Sequence, residues 1–131
     1  MAGNTGNFNS DKANAFAERF LGVLNDAALC MMVSIGHRTR LFDALSHGNS
    51  VSLQEIASSA GLNERYVREW LGAKVTGGVI EADAETRKFR FPKEHAAFLT
   101  RAAGADNLAF WFPLLVCATA REIRDTARWR S

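Results

Sequence analysis

Apolar residues in the first third of the chain recur at helical spacing. Phe16, Phe20, Val23, Ala27 and Met31 make one stripe, and Leu21, Leu24, Ala28 and Met32 make a second beside it. The pattern predicts a long helix opening near Asp11, which is placed to act as its N-cap. An apolar arc this wide exceeds what one packed face needs, and such helices are commonly buried from two directions. Phe16, Phe20, Leu21, Leu24 and Met31 are therefore candidate self-association residues. A second copy of the chain or a further domain is one expected cover, and simple packing against the chain's own core is the other. Residues 1–10, MAGNTGNFNS, offer little besides Phe8 to dock and read as a flexible tail.

The periodicity breaks at Gly36-His37-Arg38-Thr39 and resumes as a short helix, Leu41 to Leu45, that closes on Ser46-His47-Gly48-Asn49. Ser52-Leu53-Gln54-Glu55 is a capping box: the Ser52 hydroxyl can accept from the Glu55 amide while the Glu55 carboxylate reaches back. It opens a helix whose Leu53, Ile56, Ala57 and Ala60 share a face, ended by Gly61 in the left-handed conformation. Asn63 then caps a second helix, with Tyr66, Val67, Trp70 and Leu71 on one side and Glu64, Arg65, Arg68 and Glu69 on the other. Helix, glycine turn and helix make a helix-turn-helix.

After Gly77-Gly78, the segments Val79–Ala82 and Lys88–Phe91 flank a polar turn and read as a β-hairpin, the wing of a winged helix. Pro92 leads into a short helix over Glu94 to Thr100. Gly104-Ala105-Asp106-Asn107 forms another cap, and a last helical segment runs into a basic end containing Arg121, Arg124, Arg128 and Arg130. The expected fold is mostly α with a small β-hairpin: a winged helix-turn-helix with an added helix at each end. Its expected divisions are a tail over 1–10, the winged-helix domain over 11–103 and a helical segment over 104–131.

Composition narrows the function more than the fold. Sixteen Lys and Arg against fourteen Asp and Glu leave a formal charge of +2, with the signs interspersed. Charge alone therefore does not mark a nucleic-acid binder. Cys30 and Cys117 both sit in apolar runs, where a thiol acts as a small hydrophobe. With no basic n-region followed by an apolar core at the amino terminus, a cytoplasmic protein is expected. The run Leu108 to Ala120 is broken by Pro113 and falls short of the roughly 20 apolar residues a membrane helix needs, so no membrane partner is expected.

The strings SIGHRT and LFDAL over 34–45, GLNERYVREWLGA over 61–73, FP followed by EHAAFLT over 91–100, and ADNLA over 105–109 carry a more specific message. Together they closely resemble the amino-terminal winged-helix domain of class I S-adenosylmethionine-dependent methyltransferases of the mycobacterial type. That domain is distantly similar to the dimerisation domain of small-molecule O-methyltransferases. The resemblance covers roughly residues 11 to 112. It implies a homodimer or a partner methyltransferase domain, and a scaffold that covers substrate rather than a catalytic centre. The matching residues are scaffold positions, and none is a catalytic residue of the family.

Three departures accompany the resemblance. Arg40 stands where the family often has glycine, Lys74 stands where it often has an apolar residue, and the sequence diverges after about Phe112. A class I methyltransferase also needs a glycine-rich turn after its first strand for the cofactor, and no glycine follows Leu108. The catalytic domain is thus expected to be missing from this sequence, as in a truncated form. The chain alone is expected to bind no cofactor, with S-adenosylmethionine implied only for a full-length relative.

The alternative function is a winged-helix DNA-binding regulator. It would place Asn63, Arg65 and Arg68 near a groove and Arg87, Lys88 and Arg90 of the wing on phosphates. Glu64 and Glu69 share the exposed face of that helix and oppose the reading, and Glu64 with Arg68 has the spacing of a surface ion pair. Metal binding is not favoured either, since His37, His47, His95, Cys30 and Cys117 lack ligand spacing. No Ser or Cys lies in a nucleophile elbow. Phe110, Trp111 and Phe112 are expected to form an exposed apolar patch.

Overall fold

A computed structural model describes residues 6–125, with side chains through residue 118. Residues 1–5 of the expected tail and the arginines at 121, 124, 128 and 130 lie outside the described residues or side chains.

Helix α1 spans Ser10–Arg38, α2 spans Leu41–Ala44, and strand β1 is Val51–Ser52. Helices α3 (Leu53–Ala60) and α4 (Glu64–Thr76) follow, then β2 (Glu81–Asp83), β3 (Lys88–Arg90) and α5 (Lys93–Leu99). Two 3-10 turns, Arg101–Asp106 and Leu108–Phe110, lead into α6 (Trp111–Asp125).

The N-cap of α1 is Asn9, not Asp11: the Asn9 side chain accepts from the Lys12 amide at 3.0 Å. Asp11 instead lies in the first turn, where its charge opposes the positive helix end. The expected break at Gly36 does not occur, and the helix continues to Arg38. Gly36 has a different use. A Cβ there would lie 2.6 Å from both Phe42 and Trp70, so the glycine lets α1 approach the core aromatics.

Helices α3 and α4 form the expected pair. Ser52 and Glu55 close the capping box in both directions, at 3.2 and 2.8 Å, and Gly61 takes φ +65°. Asn63 accepts from the Arg65 amide at 2.9 Å. On α4 the buried face is Val67, Trp70, Leu71 and Lys74. Tyr66 is 71% exposed, contrary to its expected place on that face. Its position lies beyond the edge of the arc centred on Trp70, beside a shallow groove with Ile35 and Thr39.

The wing is a three-stranded antiparallel sheet in the order β1-β3-β2, with Val51 opposite Phe89 and Ala82 opposite Phe89 on the other side. Strand β1 has no signature in the sequence because two residues cannot display alternation. Val79 and Ile80 fall outside the hairpin; Ile80 is buried in the core.

That core gathers Val33, Leu41, Phe42, Leu45, Ile56, Val67, Trp70, Leu71 and Phe91. Phe42 lies at its centre, 5.2 Å from Trp70 and 5.5 Å from Phe91 between ring centroids. The Trp70 indole N–H donates to the Met32 carbonyl at 2.9 Å, fastening α4 to α1. A second fastening joins three segments. Arg101 pairs with the Asp43 carboxylate, donates to the His37 carbonyl at 2.6 Å, and presents its amide to Asp43 at 2.8 Å.

Candidate functional site

Two surfaces hold the candidate residues, an apolar helical arm and a basic groove beside the wing. The arm begins with α1. Its last third is core: Val33 is 4% exposed and Gly36 is buried against Phe42. The first two thirds carry exposed Phe16, Phe20, Leu21, Val23 and Leu24 instead, each between 51% and 64% exposed. Met31, at 59%, continues the exposed face toward Ile35. The expected burial from two directions is therefore not met within one chain. Phe16 and Phe20 stack on each other with ring centroids 4.3 Å apart.

Helix α6 extends the same arm. It starts beside the end of α1, where Phe110 meets His37 edge-on at 6.2 Å, and packs back along α1. Trp111, Leu114 and Leu115, at the i, i+3 and i+4 positions of one helical face, remain 61%, 52% and 58% exposed. Phe110 is also exposed, whereas Phe112 packs against the core, so the expected patch of Phe110, Trp111 and Phe112 is real only in its first two members. Leu114 and Leu115 extend it in directions the sequence reading missed; their spacing after Trp111 was the available signal. Where α1 crosses α4, a groove of about 800 Å³ lined by Leu29, Met31, Met32, Gly72 and Gly77 continues the apolar surface.

By length and composition alone, α1 is apolar enough to cross a membrane. Its packing divides it, however. The segment that meets Trp70 and Phe42 cannot also face lipid, and the remaining part carries Asp11, Lys12, Glu18, Arg19 and Asp26.

The second surface separates the six DNA-contact candidates. Asn63 uses its side chain as the cap of α4. Arg90 is held by Glu81 through two hydrogen bonds of 2.7 and 3.0 Å. Arg65 is exposed elsewhere on α4. Arg68, Arg87 and Lys88 do come together, around a groove of about 460 Å³ between α3, α4 and the wing. The expected Glu64–Arg68 ion pair is not formed: no carboxylate lies within bonding distance of Arg68 among the described residues. Asp83, also at this groove, has its carboxyl held below the usual carboxylate range by the amides of Glu85 and Thr86.

Two titratable groups with buried nitrogens complete the electrostatics. Lys74 is fully buried on the core face of α4, its Nζ without a hydrogen bond and 5.5 and 5.7 Å from the ring centres of Phe42 and Trp70. Burial pulls its pKa down to about 8, against a smaller opposing influence of Cys30. The His37 Nδ1 is likewise buried without a partner. Desolvation, and then the Arg101 guanidinium, lower its pKa, while Asp43 acts in the opposite sense. Among the described residues, no three His, Cys, Asp or Glu side chains gather as metal ligands would.

With this geometry in hand, known proteins agree on the fold. The family described as Rv2258c-like winged HTH domain matches residues 27–101, more than half of the chain, and the chain belongs to it. A putative O-methyltransferase from Nostoc punctiforme PCC 73102 superposes with a TM-score of 0.56 at 22% identity, over 65% of this chain and 25% of that one. The structure of PigF with SAH gives a TM-score of 0.55 at 18% identity, over 80% of this chain and 31% of that one. The chain thus spans between a quarter and a third of the length of those structures. No curated protein matches it. The winged-helix fold expected from the sequence is the fold observed, and it is one found in methyltransferase-like neighbours.

Proposed function

We propose that this member of the Rv2258c-like winged HTH family is the non-catalytic, self-associating domain of a methyltransferase-like protein. Its arm forms a homodimer in the cytoplasm and provides a scaffold that covers substrate held by a methyl-transfer domain. The observation that carries the reading is the exposed apolar row Phe16, Phe20, Leu21, Leu24 on α1, continued by Trp111, Leu114 and Leu115 on α6. Two helices side by side have no interior of their own, and a second pair supplies the missing half, as in a four-helix bundle. Burying a fully exposed side chain such as Phe or Leu contributes about 1.5–3 kcal/mol, so these partly exposed residues act together to offset the cost of association.

The chemistry of methyl transfer enters through the neighbours alone. The scaffold holds no S-adenosylmethionine in this reading, and the donor belongs to a domain outside the described residues.

Light scattering on the purified chain tests the proposal. A mass twice that of the chain, falling to one chain in Phe20→Glu or Leu24→Glu with the helical circular dichroism preserved, is the expected result. Both positions are exposed, so the charge has no core to disrupt. A wild-type chain that stays monomeric at every concentration, or variants that keep the dimer, would sink it. So would tight S-adenosylmethionine binding by the chain alone.

A further inference from the structure

The wing groove presents a different chemistry from the arm. Arg68 comes from α4, while Arg87 and Lys88 come from the end of the wing turn and the start of β3. None of the three side chains has an ion pair or hydrogen bond among the described residues. Three cations drawn to one groove exceed its single lining carboxylate, Asp83, so they still repel one another, and an anion between them relieves that repulsion. Asp83, the acidic side chain that lines the groove, accepts from the Glu85 and Thr86 amides at 2.9 and 3.3 Å and stands opposite Lys88; its charge offsets one of the three cations and leaves the groove net positive.

The backbone adds a second observation. Arg87 has φ +54°, a left-handed conformation that a non-glycine residue adopts at a cost of about 1–2 kcal/mol. Glycine or asparagine would serve the turn without that cost. A strained residue whose side chain points to a groove is the pattern seen at ligand clamps.

We propose that this groove binds a phosphomonoester, with Arg68, Arg87 and Lys88 on the phosphate dianion and the organic part against Leu53 and Phe89. Arginine forks suit the oxygens of a phosphate, and lysine supplies a point charge. A compact dianion fits better than a nucleic-acid backbone. Glu64 and Glu69 belong to α4, and Glu81 and Glu85 to the wing, outside the lining of the groove, and Glu81 neutralises Arg90. A polyanion long enough to leave the groove meets those carboxylates; a single phosphate does not.

The test is a titration of the full chain with phenyl phosphate, inorganic phosphate and a short DNA duplex, followed by calorimetry. Saturable binding of phenyl phosphate, tighter than that of inorganic phosphate, is expected. Arg68→Gln and Arg87→Gly should each weaken it by about tenfold, the loss of one charge-assisted contact. Arg87→Gly is the decisive variant, because glycine at a positive φ leaves the fold equally or more stable while removing the guanidinium. Retained affinity in Arg87→Gly and Arg68→Gln would overturn the proposal, as would no saturation by about 10 mM ligand, an affinity too weak for a specific site. Duplex binding that outcompetes phenyl phosphate would overturn it in favour of a nucleic-acid surface. Phe20→Glu should leave the titration unchanged, which separates this proposal from the dimer.

Discussion

Replacing Lys74 by methionine should make the protein more stable, by an amount that depends on pH. The amine is fully buried, lacks a hydrogen bond and has its pKa drawn from an ordinary 10.5 to about 8. A change of that size disfavours the charged form in the folded state by about 3 kcal/mol. The cost follows a definite course with pH. Above about 10.5 the amine is neutral in both states and no charge is buried. As pH falls toward 8, the unfolded chain takes up the proton and the folded one does not, so stability declines. Below about 8 both states are protonated and the full cost stands. The Phe42 and Trp70 rings return part of it as cation–π attraction, about 0.5–2 kcal/mol. Lys74→Met, which keeps the unbranched stem, should therefore gain about 1–3 kcal/mol at pH 7. Urea unfolding followed by tryptophan fluorescence, at fixed protein concentration and at pH 7, 9 and 10.5, measures the difference. The gain should shrink steadily as pH rises. A Met variant less stable than wild type at pH 7, or a gain independent of pH, would refute the reasoning.

Two further substitutions probe backbone and packing. Gly36→Ala drives a methyl group into Phe42 and Trp70, and should cost about 1–3 kcal/mol, read as a lower urea midpoint with a blue or red shift of Trp70 emission. An unchanged midpoint would mean that α1 can back away from the core freely. Arg40 has φ +64°, so Arg40→Gly should stabilise the junction of α1 and α2 by up to about 1 kcal/mol, measurable as a rise in thermal midpoint of several degrees. A decrease would show that the Arg40 side chain contributes more than its backbone strain costs.

The sequence was most informative where local chemistry decides the structure by itself. The Ser52 and Glu55 capping box, the Gly61 turn and the Asn63 cap involve groups within five residues of one another, and all are formed. It was least informative where the outcome depends on distant partners. The pairing of Val51 with Phe89 needs the wing before it exists, and the Arg101 contact with Asp43 joins residues 58 positions apart. The apolar periodicity of α1 identified a helix but could not tell its two ends apart. Only the arrival of Phe42 and Trp70 decides that Val33 and Gly36 are core and that Phe20 and Leu24 are not. At the wing, closeness in sequence concealed different fates for neighbouring cations: Arg90 is bonded to Glu81 opposite it, whereas Lys88, opposite Asp83, and Arg87 line the groove without an ion pair.

The departures from the family pattern acquire a physical meaning from the same structure. Arg40 occupies a left-handed backbone position, which glycine adopts without strain. Lys74 occupies a core position, where an apolar residue carries no charge to bury. Each lowers stability at a position outside the exposed apolar row, so neither would interfere directly with the proposed self-association. The consequences differ, however. Arg40 is exposed and its cost is local, whereas Lys74 lies between α4 and the Phe42 and Trp70 rings, and the indole of that Trp70 fastens α4 to α1. A proton on Lys74 therefore weakens the support from which the arm projects. Any dimer built on α1 draws on that support, and its stability should share the pH dependence of the isolated fold between about 8 and 10.5.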